Sequence, residues 1–170
     1  MYKDIKTKGG FNMKDTLIIS GFPGIGKSYF TNNNTKLTIL DSDSSNFSWL
    51  KDEDGNNTKE RNPDFPNNYI QHIKDNMGKV DIIFVSSHNV VRQALKDNNI
   101  FYYLVYPCRC IKDEYLQRYK ERENDPAFID FIDKNWEDFI KDIEKETFPK
   151  LILLRRGQYM IDAVALLREV

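Results

Sequence analysis

The sequence predicts an α/β protein of three layers, a five-stranded parallel sheet between two layers of helices. Two observations carry this. Short continuous apolar runs alternate along the chain with longer amphipathic stretches, as in successive βαβ units. A glycine-rich segment also ends the first apolar run where the first helix should begin. With 170 residues and 40% hydrophobic content, the chain suits one domain with a full core.

The elements follow in order. "DTLIIS" (15–20) reads as a first strand, apolar on both faces and so buried. The glycine segment leads into a helix that starts near Gly26 and runs through "KSYFTNN". "KLTIL" (36–40) is a second strand, and polar residues resume at its end in "DSDSSNFSWL". Residues 51–66, "KDEDGNNTKERNPDFP", are polar and interrupted by Gly55, Pro63 and Pro66; they read as one long loop, of the sort that is functional or mobile.

"NNYIQHIKDNM" is then a helix, "VDIIFVSS" (80–87) the strongest strand, "NVVRQALKDNN" a helix, and "IFYYLVYP" (100–107) a fourth strand stopped by Pro107. "IKDEYLQRYKERE" is a charged amphipathic helix. The long helix after it opens with Asp125 as cap and Pro126 in its first turn. It carries Phe128, Ile129, Phe131, Ile132, Trp136, Phe139, Ile140 and Ile143 at helical spacing. "KLILL" is the fifth strand, and "YMIDAVALLREV" a last helix after Gly157. Each segment with chemical interest sits at the C-terminal end of a strand, where parallel sheets hold ligands.

Composition removes several classes. A formal net charge of −1 argues against a strongly basic nucleic-acid binder, while leaving room for a local basic groove. No apolar run approaches the ~20 residues of a membrane span, and no signal-type apolar segment is visible, so a cytoplasmic protein is expected. Richness in Asn, Lys, Asp and Ile suggests AT-rich coding DNA, as in phage or low-GC bacteria. Cys108 and Cys110, one residue apart, are too close for a comfortable disulfide, and only His72 and His88 could join them on a metal. They read as two reduced thiols. Residues 1–12 lack apolar periodicity, and Lys8-Gly9-Gly10 can be encoded by a purine run like a ribosome-binding site. The expectation is a non-native or disordered leader, translation from Met13, and a domain over 13–170.

Gly21 to Ser28 reads G-F-P-G-I-G-K-S. It satisfies G-x-x-x-x-G-K-S/T between a predicted strand and a predicted helix. Glycines let successive backbone N–H groups point at one centre, and the helix start adds its dipole. The expected nucleotide contacts are Gly21, Gly24, Ile25, Gly26, Lys27, Ser28 and Tyr29. Lys27 should reach the β/γ-phosphates, and Ser28 should ligate Mg²⁺.

This loop and the motifs behind it resemble the small P-loop kinases: nucleoside monophosphate kinases, gluconate-type kinases and phage polynucleotide kinase. The resemblance covers most of the chain from Met13 and implies a P-loop NTPase fold, ATP and Mg²⁺. In such kinases an acid at the end of strand 2 contacts the acceptor hydroxyl or orients it near Mg²⁺. Here "LDSDSS" supplies Asp43 as the preferred base and Asp41 as second choice and metal ligand, because a carboxylate can take the hydroxyl's proton. The alternative is an Asp-Ser turn capping the next helix.

The resemblance also implies a lid, carried by "YLVYPCRCIKDEYLQRYKERE". Arg118 and Arg122, four apart, share a helical face and are expected to clamp phosphoryl oxygens; the alternative is a solvated charged face. In "VSSHNVVRQAL", Ser87, His88 and Arg92 are expected at the substrate. Monophosphate kinases carry an acid-Gly-x-Pro-Arg segment there, whose acid, Gly and Pro are absent here; the polar segment of phage polynucleotide kinase is closer. Phe47, Trp49, Phe65 and Tyr69 could stack on an acceptor base or simply pack in the core. Arg155 or Arg156, in "RRGQY", falls where related kinases hold the donor adenine.

No acid ends strand 3, no Asn-Lys-x-Asp segment is present, and no obvious glutamine follows the strand to position a water. A GTPase or mechanical ATPase is thereby disfavoured against transfer to an organic acceptor. The expected activity is an ATP phosphotransferase acting on a nucleotide, first a (deoxy)nucleoside monophosphate. The alternatives are a polynucleotide 5′-hydroxyl kinase, whose partner would be a nucleic-acid end, and a nucleotide-binding sensor without catalysis.

Overall fold

Three runs of Ile, Val, Leu, Phe and Tyr, too apolar to face water on either side, form the middle of a parallel sheet. The computed structural model describes residues 16–168; the expected leader, residues 1–12, and the start at Met13 lie outside them. In chain order the elements are β1 (Leu17–Gly21), α1 (Lys27–Asn33), β2 (Ile39–Asp41), α2 (Ser45–Ser48), β3 (Trp49–Lys51), β4 (Asn57–Arg61) and α3 (Asn67–Asn76). They continue with β5 (Ile82–Ser86), α4 (Asn89–Asp97), β6 (Tyr103–Pro107), α5 (Lys112–Glu121), α6 (Pro126–Glu144), β7 (Lys150–Leu154) and α7 (Met160–Arg168).

Five strands form one sheet in the order β2-β5-β1-β6-β7, every pair parallel. The chain leaves β1 towards β2 and β5, then crosses to β6 and β7 on its other side. The reversal falls at β1, and a crevice opens at the C-terminal strand ends beside such a reversal. The register sets those ends level: Gly21 pairs with Ser86 and Val105, and Asp41 with Phe84. The five-stranded parallel sheet with flanking helices is the architecture expected from the sequence.

Helix α6 begins as its sequence dictates, with the Asp125 carboxylate accepting from the Ala127 N–H at 2.8 Å and Pro126 at its first position. Ile132, Trp136, Ile140 and Ile143 are its buried stripe. Phe131 falls off that face and is 53% exposed, its ring against Phe139. No helix among the described residues is long and apolar enough to cross a membrane.

Three expectations need correction. Residues 51–66 are not one irregular loop, because β3 and β4 pair antiparallel, with Trp49 opposite Arg61 and Lys51 opposite Asn57. The turn is built by Asp52, whose carboxylate accepts from the Asp54 and Asn56 N–H groups, and by Gly55 at φ +80°, a conformation that suits glycine. The second strand is shorter and later than read, and runs through Asp41. Finally, Cys108 and Cys110 form a disulfide rather than two thiols. A 3₁₀ turn over Arg109–Ile111 draws their Cα atoms to 5.3 Å, inside the span such a bond bridges.

Candidate functional site

The glycine segment is shaped from outside by packing. Gly24 and Gly26 sit at φ +80° and +90°, which L side chains rarely adopt. A Cβ on Gly24 would lie 2.6 Å from Tyr119 Cε1, and one on Gly21 2.4 Å from Ile25 Cδ1. Phe22 is buried with its ring edge-on to Tyr115 and Trp136, and its N–H continues the ladder to the Val105 carbonyl. Tyr119 donates its hydroxyl to the Pro23 carbonyl at 2.8 Å, and the Met160 N–H donates to the Ile25 carbonyl at 2.7 Å. The inner side of the loop faces a cleft of about 1140 Å³. The first intrahelical bond of α1 runs from the Phe30 N–H to the Gly26 carbonyl, so the N–H groups of Lys27, Ser28 and Tyr29 precede the helical ladder.

The cleft gathers most of the residues expected from the sequence. Gly21, Gly24, Ile25, Gly26, Lys27, Ser28, Tyr29, Asp41, Asp43, Ser87, His88, Arg118 and Arg122 all line it. Lys27 folds back to donate to the Gly21 carbonyl at 2.8 Å. Burial lowers its pKa to about 8, against the attraction of Asp41 and Asp43, and Arg122 pushes it the same way as burial. Ser28 Oγ donates to Asp41 Oδ2 at 2.7 Å. Thus a hydroxyl from α1 and a carboxylate from the end of β2 meet beside the ammonium group.

Asp43 makes the turn contact that its sequence allowed and also reaches the cleft. Its Oδ1 accepts from the Ser45 N–H at 2.9 Å at the start of α2, and the side chain still borders the cleft. His88 also borders it. Burial holds the imidazole below its ordinary pKa, opposed by Asp43 and reinforced by Lys27, Arg92 and Arg61.

The two arginines expected on a lid differ. Arg118 is 7% exposed and held through its terminal nitrogens, while its Nε has no hydrogen-bond partner among the described residues. It donates to Glu114, to the Gln158 carbonyl at 3.0 Å and, at 3.4 Å, to the Gly24 carbonyl. Its guanidinium also lies 3.8 Å over the Tyr159 ring. It braces the glycine loop. Arg122, at the end of α5, borders the cleft and has no ion-pair partner among the described residues.

Other expected site residues are placed elsewhere. Arg92 is 4% exposed and bound to Asp142, to Glu146 at 2.8 Å and to the Ser87 carbonyl at 2.9 Å; it ties α4 to α6 and does not line the cleft. Tyr69 is a core residue, its hydroxyl donating to the Ser42 carbonyl at 2.7 Å and its pKa raised by burial to about 12. Phe47 packs on Tyr69 and His72, and Phe65 on Tyr69. Trp49 is covered by the Arg61 guanidinium at 3.8 Å. Arg155 is exposed, and Arg156 pairs with Asp113. The aromatic side chains that do reach the cleft are Tyr29, Phe30, Tyr119, Phe128 and Tyr159. Sequence reasoning passed over the last three, although Tyr119 adjoins Arg118 and Tyr159 belongs to the "RRGQY" segment.

Chemically, the site offers one ammonium and one unpaired guanidinium to a polyanion, an oxygen pair to a divalent cation, and a second carboxylate as proton acceptor. No cluster of three or more His, Cys, Asp or Glu side chains that could cage a metal occurs among the described residues. Mg²⁺ bound with phosphates needs only one or two protein oxygens, and Ser28 with Asp41 fits that demand. No protein-family model matches the chain, and no curated protein matches it either.

Proposed function

We propose that this protein is an ATP-dependent phosphotransferase of the small P-loop kinase kind, acting on a nucleotide-type acceptor. The observation that carries the reading is the 2.7 Å contact between Ser28 and Asp41, beside Lys27 and inside the cleft. A glycine turn with left-handed Gly24 and Gly26 supports it, since this is the backbone shape that cradles phosphate.

In this reading the N–H groups of the loop and Lys27 hold the β- and γ-phosphates. Ser28 and Asp41 would hold Mg²⁺, which supplies Lewis-acid neutralisation of the phosphate oxygens when bound. Arg122 stabilises charge on the transferring group. Asp43 Oδ2, free of the turn bond made by Oδ1, takes the acceptor's proton. Arg118 and Tyr119 act through the loop, which they hold in shape.

A transfer screen with γ-labelled ATP tests the proposal, with Asp43→Ala as its control. Normal ATP binding with lost transfer supports a kinase. Retained ATP-dependent behaviour in cells after Asp43→Ala would instead favour a nucleotide sensor without catalysis.

A further inference from the structure

The turn between β6 and α5 carries chemistry that the cleft does not use. Cys108 and Cys110, the only cysteines of the chain, are joined there with one residue between them. A disulfide stabilises a fold chiefly by closing a loop of the unfolded chain, and it gains least where that loop is shortest. This one ties no two distant parts together. It is also open to attack, since Cys110 is exposed and Cys108 half-buried. The two sulfurs differ. Cys108 Sγ accepts from the Cys110 N–H at 3.4 Å, a contact that favours the Cys108 thiolate once the bond opens. Cys110 is the sulfur that an incoming thiolate meets first.

The same turn lies on the path to the glycine loop. Cys108 donates its N–H to the Leu154 carbonyl at 2.8 Å, at the end of β7. The Arg109 carbonyl accepts from Trp136 Nε1 at 3.0 Å. The Ile111 N–H closes the turn on the Cys108 carbonyl at 3.2 Å, and the Ile111 side chain is buried. The next residue, Lys112, begins α5, whose Arg118 and Tyr119 hold the Gly24 and Pro23 carbonyls. The disulfide therefore fixes the entry to the helix that braces the loop.

We propose that the Cys108–Cys110 pair is a redox-modification site opened by a dithiol reductant, and that its disulfide form holds α5 more firmly against the glycine loop than its dithiol form. Its effect on nucleotide binding rests on the phosphotransferase reading; the exchange chemistry does not. In the exchange an external thiolate attacks Cys110 Sγ. A bond forms between those two sulfurs as the Cys108–Cys110 bond breaks, and Cys108 leaves as a thiolate with the electron pair. The second thiolate of the reductant then attacks the first reductant sulfur, and Cys110 leaves in turn. The two protons given up by the reductant end on Cys108 and Cys110. The protein thus gains two electrons and two protons, and the reductant becomes a disulfide.

The test uses the full chain, oxidised with diamide and then exposed to dithiothreitol. Thiol titration of the folded protein should find no free thiol before dithiothreitol and both thiols after it, at a rate within about tenfold of that in urea. Reduction that waits for unfolding would overturn the site. A short pulse of glutathione, quenched by alkylation, should leave glutathione on Cys110 and the alkyl group on Cys108; the reverse pattern in mass spectra would overturn attack at Cys110. Without nucleotide, reduction should speed amide exchange at the start of α5 and in Gly21–Ser28. Unchanged exchange there would overturn the link to the loop, whatever the cleft binds. Mg·ATP should bind the reduced chain about fivefold more weakly, and by linkage saturating Mg·ATP should shift the equilibrium with dithiothreitol towards the disulfide by the same factor. A chain with both Cys108→Ser and Cys110→Ser should bind Mg·ATP as the reduced chain does and ignore dithiothreitol. Equal Mg·ATP affinity in the two states would overturn the coupling to nucleotide. No Mg·ATP binding in either state would overturn the phosphotransferase reading, while faster exchange on reduction would leave the redox site standing.

Discussion

Lys27 is placed where it is useful to a ligand and costly to the free protein. Its pKa is lowered from 10.5 to about 8, so the folded state carries the cost of a partly buried charge below pH 8. That cost is relieved as pH rises from about 8 to the unfolded value. Lys27→Met should therefore raise stability at pH 7 by about 1–3 kcal/mol while abolishing transfer. Thermal unfolding of both proteins checks this, and the gap between them should narrow by pH 10. ATP affinity of the unsubstituted protein should fall as pH passes 8 and the ammonium loses its proton. Arg122, without an ion-pair partner among the described residues, serves the transfer step in the proposed function. Arg122→Ala should lower kcat by roughly 10²-fold with less effect on ATP affinity. Steady-state kinetics beside direct ATP binding separate the two quantities, and a pure affinity loss would remove Arg122 from catalysis.

Among the elements, α5 decides the shape of the site. It presents Arg118 and Tyr119 to the outside of the glycine loop. Its Glu114 binds both Arg118 and the Gly157 N–H, so one helix ties the loop to the turn before α7. Arg118→Met should cost about 2 kcal/mol, because it takes a charged donor from a mostly buried carboxylate that keeps only the Gly157 N–H and Arg156. Adding Glu114→Gln should recover part of that loss, with a coupling of about 0.5–3 kcal/mol. Urea unfolding of the four proteins measures it, and strict additivity would show that the pair is no latch.

This coupling also marks where the sequence was readable. Strands β1, β5 and β6 announce themselves because both faces are buried, and the glycine spacing discloses the loop because only that backbone needs it. The β3–β4 hairpin was hidden, since its residues are mostly polar and exposed and show no alternation. Arg92 and Arg122 looked alike in sequence. What distinguishes them is a pair of carboxylates, Asp142 and Glu146, fifty residues or more from Arg92 and brought to it by the packing of α6. The rings of Phe47 and Tyr69 were likewise equivocal until packing turned them inward.

For the whole molecule, the site is the region where the sheet's reversal, the glycine loop and two helices that follow other strands all converge. A ligand there contacts parts of the chain from residue 21 to residue 161, and so should stabilise the fold as a unit. At 100 times its Kd, Mg·ATP should add about 2.7 kcal/mol, which for a domain of this size is a rise of about 5–10 °C in Tm. Amide hydrogen exchange should show where that stabilisation is distributed. On the proposed function the Gly21–Ser28 loop and the start of α1 would touch the phosphates directly, while α5 would be coupled to them through Gly24 and Pro23. Slowed exchange is expected in the loop and in α5 together, and α3, which does not line the cleft, should change little. In Tyr119→Phe the Pro23 contact is gone, and protection of α5 by Mg·ATP should shrink while protection of the loop persists. Protection confined to the loop in the unsubstituted protein would show that α5 braces the loop without sensing its ligand.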